Sequence, residues 1–121
     1  RLGILQLVDR DCARLPGPAD ATGLQALLAD PPRWILDGGD ELPAWICAGD
    51  TVAANRAAGR ADMAGASRLT PIDEHASLRE ALERLRGEHG DALLVIRGGE
   101  SGRDRWSGVI TREAIQSAYL G

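Results

Sequence analysis

The order of secondary-structure signals constrains this chain more than any single motif: strand, helix, strand, hairpin, strand, helix is read twice within 121 residues. The second copy is the clearer. Leu69-Thr70-Pro71-Ile72 predicts a short strand. Ser77 and Glu80 have the spacing of a capping box, in which each side chain satisfies a backbone N–H at the helix start. The helix that follows puts Leu78, Ala81, Leu82 and Leu85 on one face, with Glu80 and Arg84 four apart in the favourable order. His89-Gly90 should end it, with Gly90 as a left-handed C-cap. Ala92 to Arg97 reads as a strand buried on both faces, residues 98–102 as a Gly-rich hairpin loop, and Trp106 to Thr111 as the return strand. Thr111 should cap a last helix, Arg112 to Leu120, with Ile115, Ala118 and Tyr119 facing inward.

The first copy is more worn. Cys12 to Leu15 predicts a strand; Thr22 caps a helix carrying Leu24, Leu27 and Leu28; and Pro31-Pro32 stops it. Arg33 to Leu36 is a buried strand, Asp37-Gly38-Gly39-Asp40 a tight turn, and Leu42 to Cys47 the return, followed by a helix from 49 to 58. Matching the copies sets Ile35 against Val95 and Ala44-Trp45-Ile46-Cys47 against Gly108-Val109-Ile110-Thr111. The division that follows is residues 1–58 as a first unit with a leading helix over 2–8, 59–68 as a linker, and 69–121 as a second unit. The fold class is α/β (α+β): two β-α-β-β-α units whose small three-stranded sheets each expose an apolar face and bury it against the other.

Composition narrows the function. Hydrophobic residues make up 44% of the chain, which argues for a packed core, and with three Trp, one Tyr and no Phe that core must be aliphatic. The 14 cations are all Arg, spread among 18 acids for a net charge of −4, with no basic stripe; nucleic acid is excluded as a partner. The longest apolar run, Ala92 to Ile96, is strand-length and far short of a membrane span. The chain starts at Arg1 without Met or a signal peptide, which predicts a piece of something longer.

No nucleophile elbow or Lys-bearing phosphate loop is present, so the chain is expected not to be an enzyme. His75 and His89 read as surface residues, because no second His or Cys stands at ligand spacing, and Asp9-Arg10-Asp11 reads as a solvated face; no metal is expected. Trp34 and Trp45, on neighbouring strands of one hairpin, are expected in the core. Cys12 and Cys47 are expected to be buried free thiols.

Gly108-Val109-Ile110-Thr111-Arg112-Glu113, preceded by Leu94-Val95-Ile96 and by the helix opening at Ser77-Leu78, resembles the signature of a CBS domain, the module first named for cystathionine β-synthase. CBS domains come in tandem pairs, as the repeat does here. Arg68 to Ile72, the helix at Leu78 to Leu82 and the ending Arg105 to Tyr119 further resemble the cytoplasmic C-terminal CBS pair of bacterial CLC-type chloride channels and proton-coupled antiporters, as does Arg10 to Pro16. That resemblance implies a regulatory or assembly module on the cytoplasmic side of the membrane. Its partners would be the transmembrane transport domain of the same chain and a second CBS pair, in a homodimer through the helices at 49–58 and 112–120.

The resemblance also implies where a nucleotide would sit: adenine between the first and middle strands, phosphate at a strand-end hydroxyl and the next helix N-terminus, ribose on an Asp three residues on. In the second unit this selects Thr70, Pro71, Ile72, Val95, Thr111 and Arg112, with Ala114 where the Asp would stand. In the first it selects Asp50, with Cys47 in place of the hydroxyl. Each site lacks one polar anchor, so the expectation is no resident cofactor and weak binding of AMP, ADP or ATP. Two alternatives stand beside this: a functional adenine-nucleotide sensor, and a regulatory insert of an enzyme such as a nucleotide dehydrogenase.

Overall fold

Residues 3–87, 90–100, 102 and 105–120 are described by a computed structural model. The elements follow the repeated order. The first unit holds β1 (Cys12–Arg14), α1 (Ala21–Ala29), β2 (Trp34–Asp37), β3 (Trp45–Ala48) and α2 (Gly49–Ala57). The second holds β4 (Ser67–Asp73), α3 (Leu78–Gly87), β5 (Ala92–Ile96), β6 (Trp106–Thr111) and α4 (Arg112–Leu120). In each unit a parallel pair joined by a crossover helix is followed by an antiparallel hairpin. The two sheets are also joined edge to edge, since β3 pairs antiparallel with β4 through Trp45–Arg68 and Ile46–Ser67, giving one six-stranded sheet in chain order.

Strand alternation sorts the apolar side chains into three cores. Leu93 and Val95 of β5, Ile72 of β4 and Ile110 of β6 turn to α3 and α4, where Ala81, Leu85 and Ile115 meet them. Ile35 and Cys47 turn to Val52 of α2 and to Leu27 and Leu28 of α1. The other faces meet each other: Leu36 and Ile46 of the first unit share a cluster with Leu69, Ala92, Leu94 and Val109 of the second.

The caps explain the helix starts. Ser77 Oγ accepts from the Glu80 N–H at 3.1 Å and Thr111 Oγ1 from the Ala114 N–H at 3.2 Å, as their positions predict. In the first unit Asp20 caps α1, accepting from the Gly23 N–H at 2.8 Å, and Thr22 lies inside the helix; the carboxylate two residues earlier is the stronger acceptor for that turn. Gly90 does not take a left-handed conformation: α3 ends at Gly87, and Gly90 is instead pressed against the Arg68 carbonyl and the Thr70 hydroxyl, where a β-carbon would stand 3.2 Å from each. His89 lies outside the described residues. The turn at Gly38 and Gly39 is present, both with positive φ, but β3 starts at Trp45 because Pro43 has no N–H to give the ladder. The segment read as a linker is a series of turns wound on buried Asn55, whose amide donates to the carbonyls of Asp62 (3.0 Å) and Ala64 (2.9 Å).

The leading segment forms only one 3-10 turn, Leu5–Leu7, and packs on the second unit although chain order groups it with the first. Ile4 is fully buried in the core under α3 and α4, and Gly3 bridges to Ser77. Asp9 pairs with β6, its N–H donating to Val109 O at 2.8 Å and its carbonyl accepting from the Val109 N–H at 3.0 Å. Gly108 makes this approach possible, since a β-carbon there would lie 2.4 Å from the Asp9 carbonyl oxygen. Gly108→Val should therefore lower stability in urea unfolding by about 1–3 kcal/mol, the usual cost of forcing a side chain into filled space. Gly87→Ala, with nothing near its β-carbon, should be close to neutral; equal midpoints for the two variants would refute the assignment.

Candidate functional site

The register fixes how the two units correspond. Trp34 faces Ala48 across β2–β3 as Ala92 faces Thr111 across β5–β6, and α2 and α4 each begin on the next residue. The first N–H of each helix makes the same bond: Gly49 to Arg33 O and Arg112 to Asp91 O, both 2.9 Å. Ala48, not Cys47, therefore corresponds to Thr111, Thr51 to Ala114, and Ile35 to Leu93. The match read from sequence is one residue out at this strand end, because Ala48 carries no polar group to mark it, and two out at Ile35, which the sequence sets against Val95.

At this boundary lies a cleft of about 410 Å³, walled by both units. The first unit contributes Arg33, Trp34, Ala48 and Thr51; the second contributes Asp91, Ala92, Thr111 and Glu113, with Ser67 between. The N-termini of α2 and α4 both open onto it, and a helix start presents unpaired N–H groups and a partial positive charge. They differ in chemistry. Thr111 caps α4 with its hydroxyl, whereas Ala48 offers α2 no side-chain acceptor. Arg112 lines the cleft, but its guanidinium is turned to the end of α3. There it donates to Gly90 O at 2.7 Å and Leu85 O at 3.4 Å, 3.8 Å from the Asp91 carboxylate. Arg33 is the more exposed cation, its side chain 66% accessible, stacked at 5.6 Å on Trp34.

Of the residues singled out from sequence for the nucleotide, the structure brings Thr111 and Arg112 to this cleft, and Cys47 lines it as well. Ile72 and Val95 are buried in the core beneath α3 and α4, Thr70 lies against Gly90, and Pro71 is exposed, its carbonyl accepting from Arg84 at 2.9 Å. Asp50 is exposed and outside the lining, and Ala114 packs partly against the same core as Ile72. Sequence reasoning missed Arg33, Thr51 and Ser67, which the one-residue shift and the β3–β4 junction carry into place. The tryptophans separate. Trp34 packs on the inter-sheet core and lines the cleft. Trp45, expected in the core, is 42% exposed; it lies against Gly38 with Arg68 stacked on it at 5.6 Å. His75 is exposed beside Glu74, and among the described residues no three potential ligands gather for a metal.

No protein-family model matches the chain, and no curated protein matches it in sequence. Solved structures match its fold. A CBS-domain pair with bound AMP from Klebsiella pneumoniae gives a TM-score of 0.65 over 100% of both chains at 11% identity. The CBS domain of a candidate transporter from Clostridium difficile gives 0.61 over 98% of this chain and 94% of its own, at 17% identity. A CBS-domain pair in complex with 5′-methylthioadenosine and S-adenosyl-L-methionine gives 0.59 over 99% and 97%, at 11% identity. The fold is that of a CBS-domain pair, with four helices on a mixed six-stranded sheet. At these identities the likeness is one of fold.

Both thiols are free and stand on opposite faces of the sheet, Cys12 toward the inter-sheet core and Cys47 toward α1 and α2. Burial, and then the carboxylates of Asp9 and Asp11, push the Cys12 thiol up from 9.0 to about 11; burial also raises Cys47. Since the thiolate is the reactive form, maleimide labelling of the native chain at pH 7.5 should be at least about tenfold slower than in urea at both positions. The folded Cys12 holds its proton more tightly than the unfolded chain does. Its contribution to stability is thus complete below pH 9 and declines between 9.0 and about 11. Cys12 is half-buried rather than buried as the sequence suggests, Cys47 is buried, and rapid native labelling of both thiols would refute their shielding.

Proposed function

We propose that this CBS-domain pair is a non-catalytic regulatory module of a larger protein, and that its inter-unit cleft takes an adenosine-type ligand weakly. One observation carries the reading: the cleft lies where two helix N-termini open, and each unit supplies part of its wall, so a ligand there touches both units at once. The similarity in fold to pairs solved with AMP and with adenosine-derived sulfur compounds supports the ligand class. The ionic surroundings set its charge. Arg112 is committed to α3 and Asp91, and the Asp91 and Glu113 carboxylates line the same cleft as Arg33. A nucleoside or monophosphate suits this balance better than a triphosphate. The carboxylate expected for the ribose is missing from both units, where Thr51 and Ala114 stand, which weakens binding.

The parent protein in this reading is a membrane transporter, of the CLC type that the motifs at Arg68 to Ile72 and Arg105 to Tyr119 resemble, with the module at the cytoplasmic face. One of the similar structures belongs to a candidate transporter. No helix among the described residues is long and apolar enough to cross a membrane, so the spanning part would be another region of the parent. Self-association is part of the proposal, with Tyr119 and Leu120 at the end of α4 exposed and available to it.

Calorimetry should show AMP binding with a Kd of about 0.1–1 mM, or about −5.5 to −4 kcal/mol, and ATP binding more weakly. Thr51→Asp, which restores a carboxylate at the position where the resemblance puts the ribose ligand, should tighten AMP by about ten- to a hundredfold, the roughly 1.5–3 kcal/mol of a charge-assisted hydrogen bond. Low-micromolar ATP binding would promote the sensor alternative, and AMP binding indifferent to Thr51→Asp would move the site out of this cleft. Light scattering on the same samples should give a dimer; monomer alone at high micromolar concentration would remove the self-association.

A further inference from the structure

We propose that Asp9, held on β6 by its backbone and on β2 by its side chain, is a positioning residue of the cleft that ties the seating of the leading segment to the cleft wall. The backbone half of this link is the pair of hydrogen bonds to Val109, two residues before Thr111 at the start of α4. The side chain reaches to the first unit. Asp9 Oδ2 accepts from Trp34 Nε1 at 3.2 Å and lies 3.6 Å from Arg33 Nη1. Oδ1 accepts from the Asp11 N–H at 2.9 Å, which fixes the carboxylate's direction. Arg33 and Trp34 are the first-unit cleft wall: Arg33 O receives the first N–H of α2, and Trp34 pairs with Ala48. One residue thus touches β6, which runs into α4, and the start of β2, which pairs with the strand that runs into α2.

The consequence runs through Arg33. Its guanidinium is mostly exposed, and among the described residues its carboxylate partner is Asp9. An anionic group in the cleft competes with Asp9 for it, whereas the indole contact is neutral and persists. Drawing Arg33 into the cleft therefore leaves Asp9 with one partner fewer, and the segment from Gly3 to Asp9 less tightly seated on the second unit. This ligand arm rests on the nucleotide reading above; the link itself does not.

The test is NMR of the whole chain, following the Trp34 indole N–H and amide exchange at Asp9 and Val109 against exchange in α3. Without ligand, Arg33→Ala should speed exchange at Asp9 by about two- to fivefold, the loss of one exposed ion pair, with α3 unchanged. Asp9→Ala should speed it further and shift the Trp34 indole resonance; Asp9→Asn, which keeps an acceptor without the charge, should restore the resonance and leave the exchange as in Arg33→Ala. AMP should act on the wild type as Arg33→Ala does. An unmoved indole resonance in Asp9→Ala, or exchange at Asp9 that changes only in step with α3, would overturn the proposal even if AMP binds. If calorimetry finds no AMP binding, the nucleotide reading and the ligand arm fall together, while the ligand-free variants still decide the link.

Discussion

The pairing of Asp9 with Val109 is the constraint on which the rest of this structure depends. Without it the six strands form an open sheet with β1 and β6 as its edges. With it, the segment running into β1 is bonded to β6, and the edges are brought round to one another. The inner faces of the two halves then share one apolar cluster that water does not reach. An open sheet of this size would leave Leu36, Ile46, Leu94 and Val109 on a solvated face. Each such side chain gains about 1.5–3 kcal/mol from burial, so the closure, itself only two hydrogen bonds, gathers a much larger hydrophobic term.

The same closure makes the cleft. Because the halves face each other across their inner sides, the ends of β3 and β6 come to one place, and the helices that follow them start there. A residue-level asymmetry is imposed on this two-fold plan. Trp34 stands where the second unit has Ala92, and Ala48 stands where it has Thr111. Gly49 is needed at the start of α2, since a β-carbon would meet the Pro32 carbonyl oxygen at 1.9 Å. One side of the cleft is thus filled by an indole and a proline pair, and the other keeps a small residue and a hydroxyl.

The second unit was readable in detail because its signals are local. Ser77 and Thr111 announce their helices by capping chemistry, Ala92 to Ile96 declares burial by its unbroken apolar run, and β6 has the limits its residues predict. The first unit was readable only in order. Its strand end at Ala48 is chemically silent, so Cys47 took its place in the match and Asp50 was drawn into the site by the same slip. Trp45 misled for another reason. An indole in a strand normally means core, but here Gly38 and the cross-strand Arg68 give it a platform and a cover at the surface. The docking of Ile4 beneath α3 and α4 had no signal at all, because sequence periodicity does not report contacts between segments that distant in the chain.

If the closed circuit and the shared inner core are what hold both units and the cleft between them, neither unit has an independent folded state. The most direct measurement is urea unfolding with fluorinated tryptophan, since Trp34 and Trp45 report the first unit and Trp106 the second. Coincident transitions at all three indoles, with one midpoint and one slope, are predicted. Separate midpoints for Trp106 and for the Trp34–Trp45 pair would contradict the account, because they would mean that each half keeps its fold without the other.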